Sequence, residues 1–403
     1  MPNKTLRIHA EQADLACFQR YGGHYAPVFN EYILEQNAAI DSGDLAGAHK
    51  IDLEAVLIGN GWYDPLLQYG GYYNFTVDNT YDVRLKRQWQ QEEMFNSMYG
   101  EGNCGDMTRD CYATKRNDVC AAADNFCYAE VEYLYDLYLK RDEYDVRELT
   151  ADPFPYAYYV DYLNSPKVQQ AIGAYVNFTE SSDTVGSAAF GNTGDDDRTQ
   201  GSVEDCRRLI DQGVYLVQFN GDADYICNWI GNEAVVDLID APGMSEAGYM
   251  NISTSNDVTH GQVKQSANFA YARIYEAGHE VPFYQPLLAL ELFNRSIHHL
   301  DIASGETTIT RDCNYMTSGP SRSTYQEGNA TVQLEILPAN STYNVNTNMP
   351  DPPVNGTSGG EGRKIKRSSE VKKVLSRRGA FVPPGRKRQA AGRRMGMMPW
   401  PRI

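Results

Sequence analysis

Three short apolar runs, each breaking into a turn that carries polar side chains, most constrain what this chain can fold into. Leu53–Gly59 (LEAVLIG) leads into Asn60-Gly61, Gly213–Asn220 (GVYLVQFN) into Gly221-Asp222-Ala223-Asp224, and Asn268–Ala277 (NFAYARIYEA) into Gly278-His279. Runs of this length, rich in β-branched and aromatic residues and ended by Gly or Asn, predict buried strands. Helical spacing fills the gaps. Asn228–Ile239 puts Ile230, Ala234, Val235 and Leu238 on one face, and Tyr25–Gln36 does the same through Val28, Phe29, Tyr32 and Ile33. Strands alternating with helices predict an α/β fold around a parallel sheet.

Charge excludes some partners. The net charge is −17, but the stretch from Pro350 onward holds 14 Lys or Arg against three acids, leaving the body with 22 bases and 50 acids. Such a body repels nucleic acid and anionic membranes. The region 350–403 is Pro/Gly-rich and then basic, and is expected to be a disordered tail. No stretch is long enough to span a bilayer, and Met1–Cys17 lacks the apolar segment of a signal peptide.

Eight cysteines stand at 17, 104, 111, 120, 127, 206, 227 and 313. Four cluster between Cys104 and Cys127 without CxxC or a histidine at metal-ligand spacing, which favours disulfides over zinc. They fall in a Tyr-rich, helix-leaning insertion from about 83 to 162. Asn-x-Ser/Thr sequons at Asn74, Asn177, Asn251, Asn294, Asn329 and Asn340, with two more at Asn3 and Asn355, point to N-glycans and the secretory route.

Candidate chemistry sits where open α/β sheets place it, at strand ends. Gly221–Asn228 (GDADYICN) supplies acids, Glu276–Pro282 (EAGHEVP) a histidine, and Tyr21–Tyr25 (YGGHY) opens the first helix. Acid before base is the chain order of an α/β-hydrolase triad.

GDADYICNWIGNEAV, YEAGHEVPFYQP and YGGHYAPVFNEYI resemble the serine carboxypeptidase family, particularly its fungal members. IGNGWYDP at Ile58–Pro65 and SPKVQQAIG at Ser165–Gly173 add to the resemblance, which runs from about Tyr21 to Asn294. It implies an α/β-hydrolase fold with a helical, disulfide-bearing insertion whose nested bridges join Cys104 to Cys127 and Cys111 to Cys120. It implies Asp224 as the triad acid, with Asp222 a turn former, and His279 as the general base. Tyr21 would offer its backbone N–H to the oxyanion, and Cys227 and Glu280 would line the substrate pocket. Peptides are the implied substrates, removal of C-terminal residues through an acyl-enzyme the implied reaction, and a secreted or vacuolar setting the implied location. No metal or cofactor is required.

The chain departs from the family at its nucleophile. Where the family reads Gly-Glu-Ser-Tyr-Gly-Gly-His-Tyr, this chain reads Phe18-Gln19-Arg20-Tyr21-Gly22-Gly23-His24-Tyr25. Arg20 takes the place of the serine, and Gln19 that of a carboxyl that binds the substrate's terminal carboxylate. A guanidinium stays protonated and cannot attack a carbonyl. The early strands and the oxyanion turn have no counterpart, so residues 1–20 are expected to be a lead-in foreign to the family. Residues 21–300 are then a hydrolase domain remnant and 301–349 an irregular, β-leaning extension. The expected outcome is a carboxypeptidase-family chain without hydrolytic activity. A peptide-binding pseudoenzyme, or an acyltransferase or hydroxynitrile lyase of the same family, is the alternative. Cys17, Cys206 and Cys313 are left without assigned partners.

Overall fold

Strand β2 (Leu53–Gly59) forms where the first apolar run predicts it, and nearly all of it is buried. It lies between β1 (Asp14–Gln19) and β3 (Tyr215–Gly221), parallel to both. A six-stranded sheet is completed by β4 (Met250–Ser253), β5 (Thr259–Ser266) and β6 (Phe269–Ile274), in the order β1-β2-β3-β6-β5-β4. The computed structural model describes residues 14–147, 158–179, 181–198, 201–310, 313–323, 342–344 and 349–351. No helix among them is long and apolar enough to cross a membrane.

The three predicted strands all run parallel, since β3 and β6 also pair that way. Strands β4 and β5 extend the sheet antiparallel and escape periodicity analysis. In β5, Thr259–Ser266 (THGQVKQS) is polar by composition, yet His260, Gln262, Lys264 and Gln265 are all buried. Their polar groups are satisfied by one another's neighbours: His260 Nδ1 meets Gln285 Oε1 at 2.9 Å, and Gln265 Nε2 donates to the Tyr215 hydroxyl at 2.9 Å.

Within residues 1–20, expected to be a lead-in foreign to the family, Asp14–Gln19 form β1. Its Cys17 pairs with Leu57 and its Gln19 with Gly59. Ala16 and Phe18 pack against the core under the sheet, whereas Cys17 and Gln19 are exposed. This is the period-two alternation of a half-buried strand, too short in sequence to stand out.

Helix α1 (Gly22–Ser42) is longer than predicted and turned differently. Val28, Phe29 and Tyr32, expected on the buried face, are each more than half exposed, while His24, Ala26, Pro27 and Asn30 are buried. The elbow preceding the helix fixes its rotation. Gly23 lies so close to the backbone of Trp62 that a Cβ there would sit 2.4 Å from the Trp62 carbonyl oxygen. The helix Trp229–Ile239 follows expectation, with Ile230, Ala234 and Val235 buried and Leu238 half-buried.

The insertion is helical: α2 (Pro65–Val77) leads to α3 (Gln88–Tyr99), α4 (Cys104–Thr114), α5 (Asn117–Cys127) and α6 (Leu134–Leu139). Asp64 caps α2, its carboxylate accepting from Leu67 N at 2.9 Å, and Pro65 occupies the first turn. Both expected disulfides form, Cys104–Cys127 and Cys111–Cys120. The insertion shares its core with the turn that follows β3. Tyr225 stacks on Tyr135 with ring centroids 3.9 Å apart and lies 4.8 Å from Tyr72.

The contact pattern divides the chain into two compact units, Met1–Glu335 with Met395–Ile403, and Ile336–Arg394. Beyond Leu300 the described residues of the first unit form the isolated bridges Leu300 to Thr308 and Ser266 to Met316. In the second, β7 (Thr342–Asn344) and β8 (Met349–Asp351) pair antiparallel. The remainder of the basic tail, from 352, lies outside the described residues, as do Asn329 and Asn340. Asn177, Asn251 and Asn294 are exposed. Asn74 is a correction: it sits inside α2 at 3% exposure, which leaves no room for a glycan in the folded chain.

Candidate active site

The polar turns after β2, β3 and β6 meet at one rim of the sheet. Their backbones are joined, with Asp222 N donating to Ile274 O at 2.9 Å and Ala223 N to Ala277 O at 2.8 Å. Gly221 permits this approach, because a Cβ there would lie 2.1 Å from the Gly278 carbonyl oxygen. The turns bring His279 Nδ1 to 2.8 Å from Asp224 Oδ2. Asp224 is fully buried and His279 is 8% exposed. An ionised carboxylate only accepts, so the pair fixes the Nδ1–H tautomer and leaves Nε2 as a base.

Asn60, at the end of β2, holds the acid from the other side. Its Nδ2 donates to Asp224 Oδ2 at 2.7 Å, and its Oδ1 accepts from Gly221 N at 3.2 Å. The second carboxylate oxygen, Asp224 Oδ1, is buried with no partner among the described residues. Asp222 is more than a turn former. Fully buried, it accepts from the Tyr81 hydroxyl at 2.5 Å, Glu276 N at 3.1 Å and Arg273 Nη2 at 3.5 Å. Burial pushes its carboxyl up to about 6, with Arg273 pulling the other way.

Arg20 stands between β1 and α1 at φ 53°, a left-handed residue on a strand–turn–helix elbow. The turn hangs from β2: Arg20 N donates to Gly59 O at 3.2 Å, and Arg20 O accepts from Trp62 N at 2.8 Å. Its guanidinium carbon lies 5.6 Å from the Tyr21 ring centroid and 5.4 Å from that of Tyr144, and Nη1 donates to the Tyr144 hydroxyl at 2.8 Å. The Tyr144 ring stands edge-on to His279 at 5.2 Å. One aromatic ring thus links the elbow to the acid–base pair.

The other candidates surround this point. Gln19 Nε2 donates to the backbone carbonyl of His279 at 2.9 Å. Tyr21 occupies the cap position of α1, and Phe190 lies 5.6 Å from its ring. Glu280 is half-buried, and burial raises its carboxyl against the pull of His279. Cys227 is buried, and burial keeps its thiol neutral despite Arg20. The ligand atoms of Asp224, Cys227 and His279 lie within 4.8 Å of one another, close enough to share a cation. Asp224 and His279 are committed to each other, however, and the positive Arg20 acts on Cys227, so the local chemistry opposes one.

A family model described as serine carboxypeptidase matches residues 19–299. The chain belongs to the serine carboxypeptidase family. Carboxypeptidase S1 homolog B of Arthroderma otae is 36% identical over 329 residues, covering 76% of this chain and 50% of that relative. Carboxypeptidase S1 of Penicillium janthinellum is 34% identical over 303 residues, covering 74% of this chain and 70% of its own length. The chain therefore spans about half the length of the Arthroderma otae relatives. The solved structure of Kex1(delta)p, a prohormone-processing carboxypeptidase from Saccharomyces cerevisiae, matches with a TM-score of 0.55 at 19% identity. That match covers 71% of this chain and 62% of that one, and supports the fold.

Sequence reasoning missed three residues that the structure brings to this site. Asn60 and Tyr144 approach the pair from other segments, and Glu143 sets its carbonyl against the Tyr225 and Ile226 amides at 3.1 and 3.0 Å. Only Asn60 left a trace, in the IGNGWYDP motif. Tyr144 and Glu143 belong to an insertion whose composition carries no signal of where it folds back.

Proposed function

We propose that this chain carries the acid–base half of a serine carboxypeptidase site and that, as its sequence stands, it does not hydrolyse peptides. The supporting observation is the buried Asp224–His279 hydrogen bond at the rim beside an elbow occupied by Arg20. In the family reaction a hydroxyl at the elbow attacks the scissile carbonyl, His279 Nε2 takes its proton, and Asp224 stabilises the imidazolium. The imidazole then returns that proton to the leaving amine, and water releases the acyl group. Arg20 has no lone pair to offer and sets a cation beside the ring that must itself become charged. Loss of a triad serine alone costs roughly a millionfold in kcat. Peptides are the substrate class, and the exposed sequons at Asn177, Asn251 and Asn294 fit a secretory or vacuolar setting.

The test is release of C-terminal amino acids from blocked dipeptides at mildly acidic pH. No release above background is expected, and the downfield Nδ1–H resonance of His279 should be visible by proton NMR. Turnover abolished by His279→Ala would overturn the assignment of Arg20 as a block.

A further inference from the structure

We propose that the elbow of this chain is a carboxylate-binding site, in which the Arg20 guanidinium holds a small organic monocarboxylate beside the Asp224–His279 pair. The proposal rests on the family-site reading above and adds what the substituted elbow does instead of chemistry.

Geometry carries the argument. A strand–turn–helix elbow with a left-handed residue at its apex projects one side chain from the rim of the sheet into the cleft. In this chain that side chain is a cation, half-buried and flanked by the rings of Tyr21 and Tyr144. Among the described residues its one hydrogen bond runs to the Tyr144 hydroxyl, and none of their ion pairs includes it. A guanidinium has five N–H donors in a fixed planar fork, so most of its donor capacity is uncommitted. A partly desolvated charge of this kind is costly until a hydrogen-bonded anion meets it. Glu143 acts on Arg20, its carboxyl raised by burial and drawn down by Arg20, but no ion pair joins the two among the described residues.

Which anion follows from the surroundings. The fork matches a carboxylate in two parallel bonds. The body of the chain carries 50 acids against 22 bases before Pro350, and that field disfavours multiply charged anions such as phosphates. The rings of Tyr21, Tyr144 and Phe190 offer an apolar wall beside the charge. A monocarboxylate with an apolar body satisfies all three conditions.

N-acetylphenylalanine and N-acetylphenylalaninamide are the probes, since they differ only in the charged group. Titration of the intact chain by calorimetry should show the acid binding at least tenfold more tightly than the amide. In Arg20→Gln the two should bind within twofold of each other, and Arg20→Lys, which keeps the charge but loses the fork, should fall between. Equal affinity of acid and amide for the unmodified chain would falsify the proposal, as would a preference that survives Arg20→Gln. The Nδ1–H resonance of His279, recorded on the same samples, separates the two readings. Its absence removes the family site, while the comparison of acid with amide still decides the role of Arg20.

Discussion

Asn60 Nδ2 donates to Asp224 Oδ2 at 2.7 Å, and the same carboxylate oxygen accepts from His279 Nδ1 at 2.8 Å. Asn60 thereby joins the end of β2 to the acid–base pair that β3 and β6 assemble. It sits at φ 43°, where Asn and Gly are tolerated best. Asn60→Gly therefore isolates the lost hydrogen bonds from backbone strain. A charge-assisted bond of this kind is worth roughly 1.5–3 kcal/mol, and a loss of that size is expected in urea melts. With one donor gone, Asp224 bonds His279 more strongly, and the Nδ1–H resonance should move further downfield. A purely structural Asn60 would lower stability and leave that resonance where it was.

The sequence makes β2, β3 and β6 legible because their apolar runs are buried on both faces. Asp224 and His279 were readable because each follows such a run in a glycine-containing turn. Asn60 lies in the IGNGWYDP motif, but its partner Asp224 is 164 residues away and no local pattern encodes that contact. β5 was hidden for a different reason. Its buried Gln262, Lys264 and Gln265 look solvent-facing until the cover over both faces is known. α1 shows the limit of periodicity: the stripe of Val28, Phe29 and Tyr32 is apolar, yet the close approach of Gly23 to Trp62 turns it outward.

Acid should stabilise this chain. Burial raises the carboxyls of Asp64 and Asp222 to about 6 and that of Asp136 to about 7, in each case above the range of an unfolded chain. An acid whose folded pKa is raised binds its proton more tightly when folded. Its stabilising contribution is complete below the unfolded value and is lost as pH rises through the folded one. Thermal midpoints should therefore fall by a few degrees between about pH 4 and about pH 7. Asp136→Asn should flatten part of that slope, and an unchanged profile would contradict the assignment of Asp136.

The insertion bears on the active site through Tyr144, whose carbonyl accepts from His279 N at 2.8 Å. Cys104–Cys127 anchors that insertion within the core containing Tyr135 and Tyr225. The bridge closes a sequence separation of 23 residues, for which chain entropy gives about 3 kcal/mol. The double substitution Cys104→Ala, Cys127→Ala should lower stability by about that amount. Hydrogen exchange should show faster opening at α4 and α5 before the sheet opens. Uniform acceleration across β2, β3 and β6 instead would mean that the bridge supports the whole fold.

Gly221→Ala tests whether the closeness of two turns makes the site. A methyl group at Gly221 would meet the carbonyl oxygens of Gly278 at 2.1 Å and Ala277 at 2.5 Å, both backbone atoms that no rotamer change can move. The strain can be relieved only by parting the turn that carries Asp224 from the turn that carries His279. Overpacking of this kind costs about 1–3 kcal/mol, so the variant should still fold. The Asp224–His279 hydrogen bond should lengthen and the Nδ1–H signal should weaken or vanish, with far-UV circular dichroism unchanged. An intact signal in a folded Gly221→Ala chain would mean that the Asn60 and Tyr144 contacts hold the pair without the backbone junction.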